Sequence, residues 1–121
     1  MSLRPDIDAV VARYCEAWNA PDPDLRWSLV HALAAPDVLV VDPYSDKPIQ
    51  GQAAFTAYLG MFQETAGHSL EATGPPDHHH GWMRAPWRLV TPAGDEFVRG
   101  LLVGQLDREM RFTHIVHFLD A

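Results

Sequence analysis

The sequence predicts an α+β domain, with helices leading and a curved, mostly antiparallel sheet following, and three observations predict it. Apolar residues recur at helical spacing three times before Gly67. Beyond Gly67 the chain changes to β-rich or alternating runs, and short turn sequences part them, as an antiparallel meander requires. The helices of such a chain cover the concave face of the sheet and share one core with it. A length of 121 residues accommodates a single domain over 1–121, with no internal repeat or low-complexity segment.

The first helix rests on Ile7, Val10, Val11, Tyr14 and Trp18, spaced by three and four, with Pro5 and Asp6 suited to its first turn. Asn19-Ala20-Pro21 ends it, because the residue before a proline is pushed out of helical conformation. Asp22 as N-cap and Pro23 at the first helical position start a second helix whose stripe is Leu25, Leu29, Ala32 and Leu33. Trp27 and His31 lie one turn apart beside that stripe, either bordering an opening or covering surface. Ala35-Pro36 breaks the helix, and Val38 to Asp42 alternates as a strand with Val38, Val40 and Asp42 on one face. After the turn Asp46-Lys47-Pro48, a third helix carries Phe55, Tyr58, Leu59 and Phe62, with Gly67 as its C-terminal cap. Strands follow at about 68–73, 79–90, 96–106 and 110–119, parted by Gly74-Pro75-Pro76, by 91–95 and by Asp107-Arg108.

A formal charge of -7, one lysine and scattered arginines exclude a phosphate-backbone binder and give no hold on an anionic membrane. No apolar run approaches the roughly 18 residues of a membrane span, and no charged-then-apolar leader opens the chain, so the expected location is the cytoplasm. The single Cys15 rules out an internal disulfide and reads as packing. No glycine-rich phosphate loop is present, and no cofactor is expected.

Asp42 is a carboxylate delivered by an apolar strand face. It serves either as a base in a pocket or as the cap of the Asp-Pro turn. In the last strand, alternation groups Phe112, His114, Val116 and Phe118 on one face and Arg111, Thr113, Ile115, His117 and Leu119 on the other. Along His78-His79-His80 the first and third imidazoles share a face, but no helical His pair or cysteine partner accompanies them, and no metal is assigned. Trp18, Phe55, Tyr58, Trp87 and Phe118 either line a cavity or fill the same space as core.

The order of elements, with Val10-Val11-Ala12-Arg13-Tyr14, Trp18-Asn19-Ala20, Val41-Asp42-Pro43 and Gly51-Gln52-Ala53-Ala54-Phe55, resembles the nuclear transport factor-like superfamily of conical α+β domains. Within it the SnoaL-like polyketide cyclases and ketosteroid isomerases are nearest. The resemblance implies Asp42 as general base beside a ketone and Tyr14 as donor to the developing enolate oxygen. The isomerases' second donor falls at Leu101, Leu102 or Val103, none of which can donate, and losing one such donor costs on the order of 3 kcal/mol. The resemblance turns the Phe112 face into the cone, which makes His114 the candidate replacement, or else a core histidine bonded to the backbone. Trp18, Phe55, Tyr58, Trp87, Phe118 and His80 become the candidate substrate-binding set. Epoxide-opening relatives suggest Arg84, Arg88 and Arg99 as pocket arginines, with surface positions as the alternative. The implied function is an isomerase or cyclase moving protons on a small apolar carbonyl compound; the alternatives are a non-catalytic ligand-binding domain and an interaction module. Relatives imply a homodimer through the convex sheet face, which would cover Ile115 and Leu119.

Overall fold

The computed structural model describes residues 7–120. Three helices, α1 (Ile7–Asn19), α2 (Pro23–Leu33) and α3 (Gln52–Thr65), pack on one face of a curved sheet. The strands are β1 (Ala34–Val41), β2 (Ile49–Gln50), β3 (Ser69–Ala72), β4 (Asp77–His79), β5 (Trp82–Val90), β6 (Glu96–Leu106) and β7 (Phe112–Leu119). They run in the order β2-β1-β7-β6-β5-β3, with β4 paired to the start of β5. Among the described residues only β1 and β7 pair in parallel, so the last strand returns beside the one that leads into Asp42. The core between the layers is filled by Tyr14, Val30, Val38, Val40, Phe55, Leu59, Leu102, Phe112 and Ile115.

Helix α1 buries Val10, Val11, Tyr14 and Trp18 of the expected stripe and Ala17 beside them, with Ile7 half-buried; Pro5 and Asp6 lie outside the described residues. Its last residue reaches the sheet edge. Asn19 donates to the Leu70 carbonyl at 3.0 Å and accepts the Leu70 N–H at 2.7 Å, standing in for a missing neighbour strand on β3. Asn19→Ala is expected to lower unfolding stability by about 2 kcal/mol in urea titration, since both backbone groups lose their partner.

Asp22 caps α2 through the Leu25 N–H at 3.0 Å, as its sequence suggests. Its inward face is a correction: Arg26, Val30 and Leu33 are buried, whereas Leu25 is exposed. Arg26 turns inward because its guanidinium donates to the Ala20 carbonyl at 2.8 Å, just past the end of α1, and lies beside Gly60, where a Cβ would come within 3.0 Å of Nη1. Trp27 and His31 cover the surface, with their rings 4.0 Å apart. Helix α3 closes on Gly67 at φ 64°, whose N–H returns to the Phe62 carbonyl.

The predicted strand at 79–90 is divided. His80 (φ 51°) and Gly81 (φ 81°) form a two-residue turn between the paired His79 and Trp82, the left-handed geometry of a type I′ hairpin. That turn creates β4 and takes His80 out to solvent.

Candidate functional site

Val38 and Val40 are fully buried, and the same alternation leaves Asp42 only 7% exposed just beyond the end of β1. One of its oxygens, Oδ2, accepts the Tyr58 hydroxyl from α3 and the Tyr44 N–H at 3.3 Å. The second contact is the Asx turn expected of Asp-Pro, so the capping reading accounts for part of the geometry. The other oxygen, Oδ1, lies 3.5 Å from Nδ1 of His117. Burial raises the Asp42 carboxyl above the ordinary carboxylate range, and the bonds from Tyr58 and Tyr44 pull it partly back.

His117 sits among aromatic rings. Trp18 stacks on it at 5.5 Å and 24°, Trp87 lies at 5.1 Å, and Tyr14 approaches edge-on at 5.8 Å. Burial pushes its pKa down to about 3, so the ring is neutral. Nδ1 faces the Asp42 carboxylate, which can only accept, so the ring proton sits on Nδ1 and Nε2 accepts from the Tyr14 hydroxyl at 2.7 Å. Tyr14, His117, Asp42 and Tyr58 therefore form one continuous chain of polar groups from α1 through the sheet to α3.

Alternation places His114 on one face with Phe112, and the resemblance turns that face inward; the structure puts His117 inside instead, and a β-bulge explains the difference. Opposite the single step from Leu106 to Gln105 on β6, β7 advances from Phe112 to His114. The extra residue, Thr113, reverses the alternation: Phe112, Ile115 and His117 are buried, whereas His114 and Phe118 are exposed on the convex side. The signal for this was Gly104. A Cβ there would meet the Phe112 ring at 2.6 Å, and an isolated glycine inside a strand marks a bulge or a close approach.

Of the other candidates, the fold brings Trp18, Tyr58 and Trp87 to Asp42. Phe55 is fully buried in the core away from the cavity wall, and His80 is in the hairpin turn. Leu102 pairs with His117 across β6 and β7 and keeps the neighbouring donor position apolar. Arg84, Arg88 and Arg99 are held at the surface by Asp77, Glu71 and Glu96. Among the described residues no group of three or more His, Cys, Asp or Glu side chains could hold a metal ion. Cys15 is half-buried, and burial pushes its thiol up to about 11, so it is not a nucleophile at neutral pH.

Trp18, Asp42, Tyr44, Phe62, Leu70, Trp87, Leu89 and His117 enclose a cavity of about 10 Å3, room for one water at most. Tyr44 and Phe62 also belong to an adjoining open vestibule of about 280 Å3, completed by Tyr58, Met61, Thr65, Ala66, His68 and Phe97. Phe62 packs edge-on against Trp18 at 5.3 Å and stands between the two spaces. Tyr14 lies behind His117 and is absent from the cavity wall. No helix among the described residues is long and apolar enough to cross a membrane.

No family model matches the sequence, and no curated protein matches it. Among solved structures, a candidate isomerase of the SnoaL-like family from Agrobacterium tumefaciens superposes with a TM-score of 0.84 at 32% identity, over 93% of this chain and 96% of that one. A candidate SnoaL-like polyketide cyclase from Jannaschia follows at TM-score 0.74 and 16% identity, covering 99% of this chain and 92% of that one. A candidate ketosteroid isomerase from Kribbella flavida matches at TM-score 0.73 and 18% identity, over 93% and 76% of the two chains. The last two share the fold. The first shares sequence along nearly the whole of both chains, and on that ground this protein belongs to the SnoaL-like family.

Proposed function

We propose that the protein is an isomerase or cyclase that moves a proton on a small apolar carbonyl compound, with Asp42 as the base. The observation that carries this reading is a buried carboxyl of raised pKa facing an aromatic cavity that adjoins a vestibule. A base works best with a pKa drawn toward the working pH, and burial moves Asp42 in that direction. His117, held by Tyr14, orients Oδ1, and Tyr58 holds Oδ2. Substrate enters through the vestibule and displaces Phe62 and Tyr44. The combined space favours a ligand smaller than a four-ring steroid, near the lower end of the roughly 300–1,000 Å3 range of small-molecule sites.

Deuterium uptake at carbons next to the carbonyl in a panel of small cyclic ketones, followed by NMR in D2O, tests the reading. Catalysed exchange of one panel member supports it, and background rates throughout overturn it. The small cavity favours, as second reading, a ligand-binding domain without turnover, in which a panel member binds but does not exchange. Under either reading a homodimer forms on the convex face, where Phe118, Trp82 and Val41 are exposed beside Leu39, Leu101, Val103 and Val116. Ile115 takes no part, because the bulge buries it. A purely monomeric sedimentation profile would remove the dimer.

A further inference from the structure

This inference rests on the proton-transfer reading and concerns the donor to the substrate oxygen, a role that no residue above fills. An enolate forming beside Asp42 needs hydrogen-bond donors fixed in advance. The cavity wall has few protons to offer. The Nδ1–H of His117 faces Asp42, and the Tyr58 hydroxyl is bonded to it. The Tyr44 side chain is 47% exposed, so its hydroxyl is in reach of water. The Trp18 indole N–H is also buried without a hydrogen-bond partner among the described residues, but it lies by the Tyr14 hydroxyl, whose pKa it draws down against the effect of burial.

Trp87 is different. It is 4% exposed, it lines the cavity, and its indole N–H is buried without a hydrogen-bond partner among the described residues. A buried unpaired donor carries an uncompensated desolvation cost, which a ligand oxygen would relieve. The ring is held in place from both sides. Its Cζ2 and Cη2 atoms lie over Gly100, where a Cβ would come within 2.6 and 3.0 Å of them, and His117 lies 5.1 Å from it. A glycine at position 100 therefore makes room for this indole. The donor is desolvated and fixed before any ligand arrives, the condition under which an oxyanion donor is strongest.

We propose that the Trp87 indole N–H donates to the carbonyl oxygen of the substrate, filling the role that Leu102 cannot serve and that His114 is turned away from. The ligand class follows from the lining. Among the described residues no lysine or arginine lines the cavity or the vestibule, so the group that enters is a neutral carbonyl or hydroxyl rather than a carboxylate.

Phenol, an enol mimic, and toluene, its counterpart without oxygen, separate the hydrogen bond from ring packing when both are titrated by NMR into the wild-type protein and Trp87→Phe. In the wild type, phenol is expected to move the Trp87 indole proton downfield, while toluene leaves it nearly in place. In Trp87→Phe the preference for phenol over toluene is expected to fall roughly tenfold, with toluene affinity retained as evidence of an intact pocket. If both ligands bind and the preference is unchanged, the Trp87 donor is overturned while the pocket stands. If neither binds the wild type, the pocket reading and the donor fall together.

Discussion

Asp42→Asn is expected to lower ketone α-proton exchange at least ~100-fold with the fold intact, because a positioned general base contributes roughly 10²–10⁴ in rate. Asparagine has nearly the same shape, and its carbonyl oxygen still accepts from the Tyr58 hydroxyl and the Tyr44 N–H. What it lacks is a basic oxygen, and its amide hydrogens would meet the Nδ1–H of His117 on the other side. In the wild type, exchange should rise with pH as Asp42 ionises, along a curve displaced upward from the ordinary carboxylate range by burial. An asparagine variant that exchanges at the wild-type rate would exclude Asp42 as the base. A variant that loses exchange and also its thermal transition would point to Asp42 as a structural anchor.

Acid is expected to weaken the fold through His117. Its folded pKa is near 3, well below the roughly 6.5 of an unfolded chain, so between those values the unfolded state binds a proton that the folded state refuses. This contribution is fully present above the unfolded value and is lost as pH falls toward the folded one, at up to about 1.4 kcal/mol per pH unit. From pH 7 to pH 4 the loss is about 3 kcal/mol. Asp42 acts in the opposite sense, because its raised pKa favours folding below the unfolded carboxylate value and that gain disappears as pH rises through the folded one. Urea titrations of the wild type and His117→Gln at pH 4 and pH 7 isolate the histidine, since glutamine can still accept the Tyr14 hydroxyl. Equal acid sensitivity in the two proteins would show that His117 is not the group responsible.

Most of the architecture could be read from periodicity, because helices and strands each repeat a side-chain direction that apolar residues reveal. The stripe of α1 and the shared face of Val38, Val40 and Asp42 are both present. Periodicity failed where one residue changed the count or a polar residue lay inside. Thr113 inverts the last strand, so the face with His114 that the resemblance turns inward points out, and His117 points in. Arg26 concealed the buried face of α2 because a guanidinium seeking the Ala20 carbonyl does not register as apolar. The hairpin at His80-Gly81 passed as continuous strand because histidine is not a usual first residue of a type I′ turn. That Trp18, Tyr58 and Trp87 gather near Asp42 is legible in their apolar spacing and strand position, but the Tyr14–His117 bond spans 103 residues and has no local signature.

The bulge at Thr113 also bears on how such a site diverges. Substitutions change a pocket one side chain at a time, but the parity of this strand rests on a single backbone position. Losing one residue there would turn His114, Val116 and Phe118 inward and expel Ile115 and His117, exchanging lining for surface without altering any of those five side chains. Insertions and deletions at the start of β7 are therefore steps through which a lineage can abandon one chemistry and present another on the same scaffold.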